Sequence, residues 1–172
     1  LEELKNTIND ETILVSICSV DSELGTIQPI EEIASIVKEY PNCVFHTDAT
    51  QAVGKTNIDY SNVDFVTFAP HKFFGLNGFG CLVNRNNIKI SPLIHGGKST
   101  TIYRSGTPAT SLIASISKAL RLGYVDIDKK YKYVESLNND LREFFSDIEG
   151  VEINSNEFCS PYVLNISVLG IK

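Results

Sequence analysis

Polar side chains that could bind a ligand or take part in catalysis follow two apolar segments of the sequence: Asp48, Gln51, His71 and Lys72. The first two come after residues 43–47 and the last two after residues 63–68. In an open α/β sheet, ligands bind at the carboxyl ends of the strands. If both segments are strands, the four side chains are expected to line one cleft at that edge of the sheet.

Lys72 is the candidate nucleophile. It lies between an apolar segment and a Phe-rich and Gly-rich stretch, residues 73–80. Partial desolvation there would lower its pKa and make the free amine available for Schiff-base chemistry. For a lysine considered alone, a surface residue beside a turn is the alternative. His46, two residues before Asp48, is interpreted as a packing residue or an indirect support of the site.

The elements that must position these residues alternate between strands and helices. Short apolar runs rich in β-branched residues predict buried strands, at residues 12–18, 43–47, 63–68 and 80–83. Pro29 begins a predicted helix, because a proline at the first helical position loses no hydrogen bond, and Pro41 stops it. A second, short helix is predicted at residues 49–53. This order predicts an α/β fold with a mostly parallel sheet.

The character of the chain changes after Gly97. Apolar spacing predicts one helix from Pro108 to Leu122 and another at about residues 128–145, followed by strands at 151–153 and 162–168. A domain change is expected near residues 123–126. Residues 1–125 then form one domain, and residues 126–172 begin a second, smaller α+β domain.

The composition limits the class of protein and of partner. The chain has 172 residues, with 15 Lys and Arg against 21 Asp and Glu, for a formal net charge of −6. An acidic chain argues against a nucleic-acid partner. No apolar run reaches the roughly 20 residues that span a bilayer, and no signal peptide opens the sequence, so a cytoplasmic protein without a membrane partner is expected. The sequence contains no Met and starts at Leu1, which predicts a piece of a longer protein.

The four cysteines do not form a metal-binding or redox motif. No two of them stand in a CxxC pair, so neither a zinc ribbon nor a thioredoxin-like site is predicted. Cys18, Cys43 and Cys81 lie in or beside apolar runs and are expected to be buried, reduced thiols. Cys159 lies in a polar stretch and is expected to be incidental to catalysis.

Four sequence motifs, taken together, resemble the class V aminotransferase family of pyridoxal-phosphate enzymes, and most closely the cysteine desulfurases. They are FHTDATQAVGK at residues 45–55, FAPHKFFGLNGFGCL at 68–82, HGGKSTTIYRSGTP at 95–108 and, more weakly, SVDSELGTIQPI at 19–30. The resemblance covers essentially the whole chain. It corresponds to the later part of the large cofactor domain of a PLP-dependent transferase, followed by the start of the small domain.

The resemblance implies a role for each residue that matches a family motif. Lys72 matches the lysine that carries pyridoxal 5'-phosphate covalently, and Asp48 matches the carboxylate that pairs with the pyridine nitrogen. Gln51 matches the residue that hydrogen-bonds the phenolic oxygen of the ring, and His71 matches a phosphate ligand. Thr107 matches a threonine that reaches the phosphate in the neighbouring subunit, so a homodimer is implied.

The resemblance also implies an activity. The parent protein is expected to convert L-cysteine, or a similar small amino acid, to alanine and an enzyme persulfide. Its sulfur would pass to an acceptor protein for iron–sulfur cluster assembly or thiolation. Another class V activity, such as a selenocysteine lyase or an aminotransferase, is the alternative among enzymes.

Three positions depart from the family pattern: Ser22, Ala69 and Lys98. They favour the remaining alternative, a non-catalytic dimerisation or sulfur-pathway interaction module. The family's sulfur-accepting cysteine and substrate-carboxylate arginine are expected downstream of Lys172, and Cys159 does not match that cysteine. The isolated chain is therefore expected to be inactive.

Overall fold

A computed structural model describes residues 1–85, 88–98 and 100–171. Ser99, within the third motif, lies outside the described residues. The larger of the two sheets contains four strands: β1 (Leu14–Cys18), β2 (Val44–Asp48), β3 (Phe65–Phe68) and β4 (Cys81–Asn84). They lie in that order across the sheet, with β1, β2 and β3 parallel and β4 antiparallel to β3. The predicted α/β fold with a mostly parallel sheet is confirmed.

Two helices belong to the first part of the chain. Helix α1 covers Glu2–Thr7 and helix α2 covers Ile30–Val37, which follows Pro29 as predicted. The apolar residues of α2 recur at helical spacing and are buried: Ile30, Ile33, Ala34, Ile36 and Val37. They form the core together with Phe45, Val63 and Phe73, which are all nearly inaccessible to solvent. Helix α2 contacts β2, so this core joins the helix to the sheet.

The predicted helix at residues 49–53 is wrong, because successive turns occupy this segment. The Asp48 carboxylate accepts a hydrogen bond from the Thr50 backbone N–H at 2.8 Å, and the backbone N–H of Val53 donates to the Ala49 carbonyl at 2.9 Å. Gly54 then adopts a φ of 74°, in the left-handed region, and this conformation stops helical propagation.

The second part of the chain contains helix α3 (Thr110–Tyr124), helix α4 (Ile127–Ser146) and a two-stranded antiparallel sheet of β5 (Val151–Ile153) and β6 (Ile166–Val168). The predicted strand at 162–168 is confirmed only at its end, since the Val163 N–H closes a turn onto the Ser160 carbonyl. Two residues separate α3 from α4, and the second of them, Asp126, has a φ of 52°. The division into domains at residues 1–125 and 126–172 stays a prediction.

The C-terminal segment, residues 154–165, forms hydrogen bonds with the first part of the chain. The Ile27 N–H donates to the Phe158 carbonyl at 3.0 Å, and the Ser160 N–H donates to the Gly25 carbonyl at 2.7 Å. The Ser155 hydroxyl also donates to the Leu24 carbonyl at 2.8 Å. These bonds attach the segment to the loop that follows β1.

Cys18, Cys43 and Cys81 are less buried than expected. Cys18 is exposed, while Cys43, Cys81 and Cys159 are half-buried. Alternate residues of a strand point to opposite faces, and Cys18 shares the outward face of β1 with Leu14 and Ser16. Within the described residues, no helix is long and apolar enough to cross a membrane.

Candidate functional site

The four predicted residues follow the carboxyl ends of two neighbouring parallel strands. Asp48 is the last residue of β2 and pairs in register with Thr67 of β3. His71 and Lys72 lie in a short 3₁₀ helix, Pro70–Phe73, that follows β3 directly. Gln51 lies in the turns after β2. The structure therefore places all four at the same edge of the sheet.

Asp48 is held by its backbone, and part of its carboxylate remains available. The Ser19 N–H donates to the Asp48 carbonyl at 2.8 Å, and the Ser19 hydroxyl donates to the same oxygen at 3.2 Å. Oδ1 of the exposed carboxylate accepts from the Thr50 N–H. In the described part of the chain, Oδ2 has no hydrogen-bond partner, so it can accept a hydrogen bond from a ligand.

His46 links β2 to both neighbouring strands through its ring. Its Nδ1 lies 2.7 Å from the Ser16 hydroxyl on β1, and its Nε2 lies 2.9 Å from the Thr67 hydroxyl on β3. Both ring nitrogens are thus engaged with neighbouring strands, as the interpretation of His46 as an indirect support requires.

Lys72 is exposed, contrary to the expectation of a partly desolvated amine. Pro70 and Phe73, in the same 3₁₀ helix, take the buried face, and this leaves Lys72 on the solvent side. Lys72 does line a cavity of about 510 Å³, together with Lys55, Lys118 and Tyr162. Asp48 and His71 do not line this cavity.

Burial lowers the pKa of Lys55, a residue that the sequence did not identify as part of the site. It is half-buried, and desolvation, followed by the nearby charge of Lys72, lowers its pKa. Its Nζ donates to Gln51 Oε1 at 3.1 Å and lies 6.0 Å from the centroid of the Tyr162 ring. The only sequence signal was its place in the first motif, four residues after Gln51.

Thr107 lies apart from these residues. It is exposed in the segment that leads to α3, directly after Gly106, which has a φ of 114°. No hydrogen bond joins Thr107 to the sheet-edge residues in the ranges that the structure describes. Its position therefore does not support a role for Thr107 at the sheet edge of its own chain.

The residues at the sheet edge fit pyridoxal 5'-phosphate by their chemistry. A carboxylate oxygen without a partner suits a protonated pyridine nitrogen, and an amide N–H suits a phenolic oxygen. An imidazole suits a phosphate, and a primary amine suits an aldehyde. Ala69, directly before the 3₁₀ helix, offers no hydroxyl, so fewer groups are available for the phosphate.

Comparison with known proteins matches the whole chain to one family. Residues 1–172 match the family described as Aminotransferase class-V. A mitosomal cysteine desulfurase of Encephalitozoon cuniculi is 37% identical over 172 residues, covering 97% of this chain and 40% of the relative. The cysteine desulfurase IscS of Clostridium botulinum is 38% identical over 178 aligned positions, covering 100% of this chain and 45% of the relative.

A solved structure described as a NifS-like protein superimposes with a TM-score of 0.92 at 33% identity, over 99% of this chain and 48% of that protein. The chain thus spans less than half the length of the curated relatives it matches. With the family match extending over every residue, the chain belongs to the class V aminotransferase family.

Proposed function

We propose that the parent protein of this chain is a pyridoxal-phosphate-dependent cysteine desulfurase. The observation that carries the proposal is the placement of Asp48, Gln51, His71 and Lys72 after two adjacent parallel strands. The relatives named cysteine desulfurase supply the substrate class, L-cysteine. The products are alanine and a persulfide on an enzyme cysteine.

Each residue at the sheet edge has a proposed task. Bound pyridoxal phosphate supplies an electron sink for the bond that breaks at the substrate α-carbon. The Lys72 amine would hold the cofactor covalently and, when free, would take the proton from the substrate Cα. Asp48 Oδ2 would accept a hydrogen bond from the ring nitrogen, which would keep that nitrogen protonated. Gln51 would donate to the phenolic oxygen, and His71 would contact the phosphate.

Sulfur transfer needs a thiolate that attacks the substrate sulfur. The Cβ–S bond of cysteine breaks as an S–S bond forms, and the carbon takes up a proton to give alanine. We propose that this thiolate belongs to a segment of the parent protein outside the chain. Cys159 is a poor candidate because it is half-buried, with its Sγ 3.4 Å from Asn156 Oδ1 and 3.8 Å from Thr26 Oγ1.

The location, the oligomeric state and the sulfur acceptor of the parent protein are part of the same proposal. The parent protein is a cytoplasmic homodimer in which Thr107 reaches the cofactor of the second subunit, and it passes sulfur to an acceptor protein for iron–sulfur assembly. One relative is named mitosomal, so an organelle is the alternative location, to be decided by fractionation of the source cells. The oligomeric state can be measured by analytical ultracentrifugation of the full-length protein.

The test of the cofactor assignment uses covalent trapping. Pyridoxal phosphate is added to the full-length protein, the adduct is reduced with borohydride, and the modified lysine is located by peptide mass spectrometry. The label is expected on Lys72, and Lys72→Ala should abolish it. Lys118→Ala is the matched control because Lys118 is exposed and lines the same cavity as Lys72. A label that persists in Lys72→Ala would overturn the assignment.

The test of the activity measures products. With L-cysteine and a thiol reductant, which reduces the persulfide to sulfide and regenerates the enzyme thiolate, the full-length protein should form alanine and sulfide over many turnovers, while the isolated chain should form neither. A 2-oxo acid product would show an aminotransferase, and turnover of selenocysteine alone would show a selenocysteine lyase. Absence of any yellow chromophore in the full-length protein would favour the non-catalytic interaction module.

A further inference from the structure

Lys55 donates a hydrogen bond to the Gln51 side chain. The two residues are four apart in the turns after β2, and the Lys55 Nζ lies 3.1 Å from the amide group at Oε1. A lysine ammonium has three donors and no acceptor. The amide must therefore present its oxygen to Lys55, which leaves the NH₂ group for a partner on the other side. Among the described residues, the NH₂ group has no hydrogen-bond partner.

The surroundings of Lys55 keep its ammonium in this position. The residue is half-buried along the wall of the cavity, and its Nζ lies 6.0 Å from the centroid of the Tyr162 ring. An aromatic face within about 6 Å attracts a cation and offsets part of the cost of desolvation. Burial and the Lys72 charge both lower the pKa of Lys55. The Gln51 oxygen is the hydrogen-bond acceptor that the structure describes for this ammonium.

We propose that Lys55 is a positioning residue that fixes the Gln51 amide with its NH₂ group toward the phenolic oxygen of bound pyridoxal phosphate. The proposal rests on the function proposed above and extends it to a residue outside the sheet-edge group. A donor at that oxygen favours its deprotonated form, because a hydrogen bond to the charged form of a group stabilises that form. Without Lys55, the amide can turn its own oxygen toward the phenolic oxygen, and two acceptors then face each other.

The test titrates the absorption spectrum of the cofactor bound to the full-length protein. In Lys55→Met, the apparent pKa of the bound chromophore should rise, and the dissociation constant of pyridoxal phosphate should increase by about three- to tenfold, the usual effect of one lost hydrogen bond. Lys55→Arg keeps a donor and a positive charge and should restore most of both values. Lys118→Met is the matched control, since Lys118 lines the same cavity without a bond to Gln51.

A double-mutant cycle separates positioning from a charge effect or a folding effect. If Lys55 acts through Gln51, then Lys55→Met should change neither value further in a Gln51→Ala background. An equal shift in both backgrounds would overturn the proposal, and so would an unchanged spectrum in Lys55→Met alone. If Lys55→Met unfolds, Lys55→Gln replaces it in the cycle, with the same criteria. A wild-type protein that binds no pyridoxal phosphate would instead overturn the proposed function itself.

Discussion

The Tyr60 hydroxyl donates a hydrogen bond to Ser19 Oγ at 3.3 Å. Ser19 is completely buried and donates in turn to the Asp48 carbonyl, so the chain of bonds ends at the last residue of β2. Burial raises the pKa of Tyr60 to about 12.

This raised pKa gives a pH-dependent stability. The ordinary tyrosine pKa is about 10. Between pH 10 and 12 the unfolded chain loses the Tyr60 proton while the folded chain keeps it, so the free energy of unfolding falls as the pH rises. Relative to Tyr60→Phe, the wild-type chain should lose on the order of 2 kcal/mol across this range. Urea unfolding at pH 9 and pH 11.5 measures the difference. An equal change in the free energy of unfolding for wild type and Tyr60→Phe would contradict the burial of the Tyr60 hydroxyl.

Gly25 fixes the approach of the C-terminal segment to the loop after β1. Its φ is 83°, and a Cβ at this position would lie 2.8 Å from the Val163 Cβ. Gly25→Ala should therefore lower the unfolding free energy both through backbone strain, about 1 kcal/mol, and through overpacking, about 1–3 kcal/mol. Gly150→Ala is the control, because Gly150 has a φ of 80° and a Cβ there would meet no atom within 4 Å. If chemical denaturation gives equal losses of unfolding free energy for Gly25→Ala and Gly150→Ala, the C-terminal segment can move away from the added methyl group without cost.

Two buried threonines differ in whether their hydroxyl is satisfied. Thr47 Oγ1 donates to the Ile17 carbonyl at 2.8 Å, whereas Thr56 Oγ1 has no partner within the described ranges. Replacing an unsatisfied hydroxyl with a methyl group removes a desolvation cost, so Thr56→Val should raise the unfolding free energy by about 1 kcal/mol. Thr47→Val should lower it by about 1–2 kcal/mol, since it removes the hydrogen bond that the Ile17 carbonyl accepts from the buried hydroxyl. Thermal unfolding of both variants measures these changes, and destabilisation in Thr56→Val would indicate a bond that the wild-type hydroxyl makes.

Asn138 links α4 to the C-terminal segment. It is 6% exposed, its Nδ2 donates to the Pro161 carbonyl at 3.0 Å, and its Oδ1 accepts from Arg142 Nε at 2.6 Å. Asn138→Ala should cost about 2–3 kcal/mol of stability, because it removes bonds from a buried carbonyl and from a guanidinium. The neighbouring Asn139 is exposed, so Asn139→Ala should stay within about 0.5 kcal/mol of wild type. Similar urea midpoints for the two variants would count against the Asn138 bonds.

The sheet could be predicted from sequence because its strands are short and apolar. Residues 44–48 and 65–68 are buried or half-buried for most of their length, and most of their side chains are apolar or β-branched, which is typical of parallel strands covered on both faces. The polar residues directly after them could then be placed at one edge. The exposed Cys18 was missed, because an apolar run does not reveal which face of a strand remains uncovered.

The features that sequence did not predict depend on residues far apart in the chain. The desolvation of Lys55 arises where Tyr162 and Gln51 meet it, and no local pattern brings Tyr162 to that position. The turns at residues 49–54 have the composition of a short helix, but the left-handed φ of Gly54 ends the segment after one turn. Local propensity is a weak guide wherever side chains compete for backbone groups.

The sheet has the same strand order in space as in sequence, with β1, β2, β3 and β4 each beside the next. During synthesis, β2, β3 and β4 each leave the ribosome after the strand that they pair with, and none of these four strands has to insert between two others of the four. Domains begin to fold during synthesis, and short sequence separations between partners speed the process. This part of the sheet can thus grow one strand at a time, with β2 released before the segment that carries Lys72.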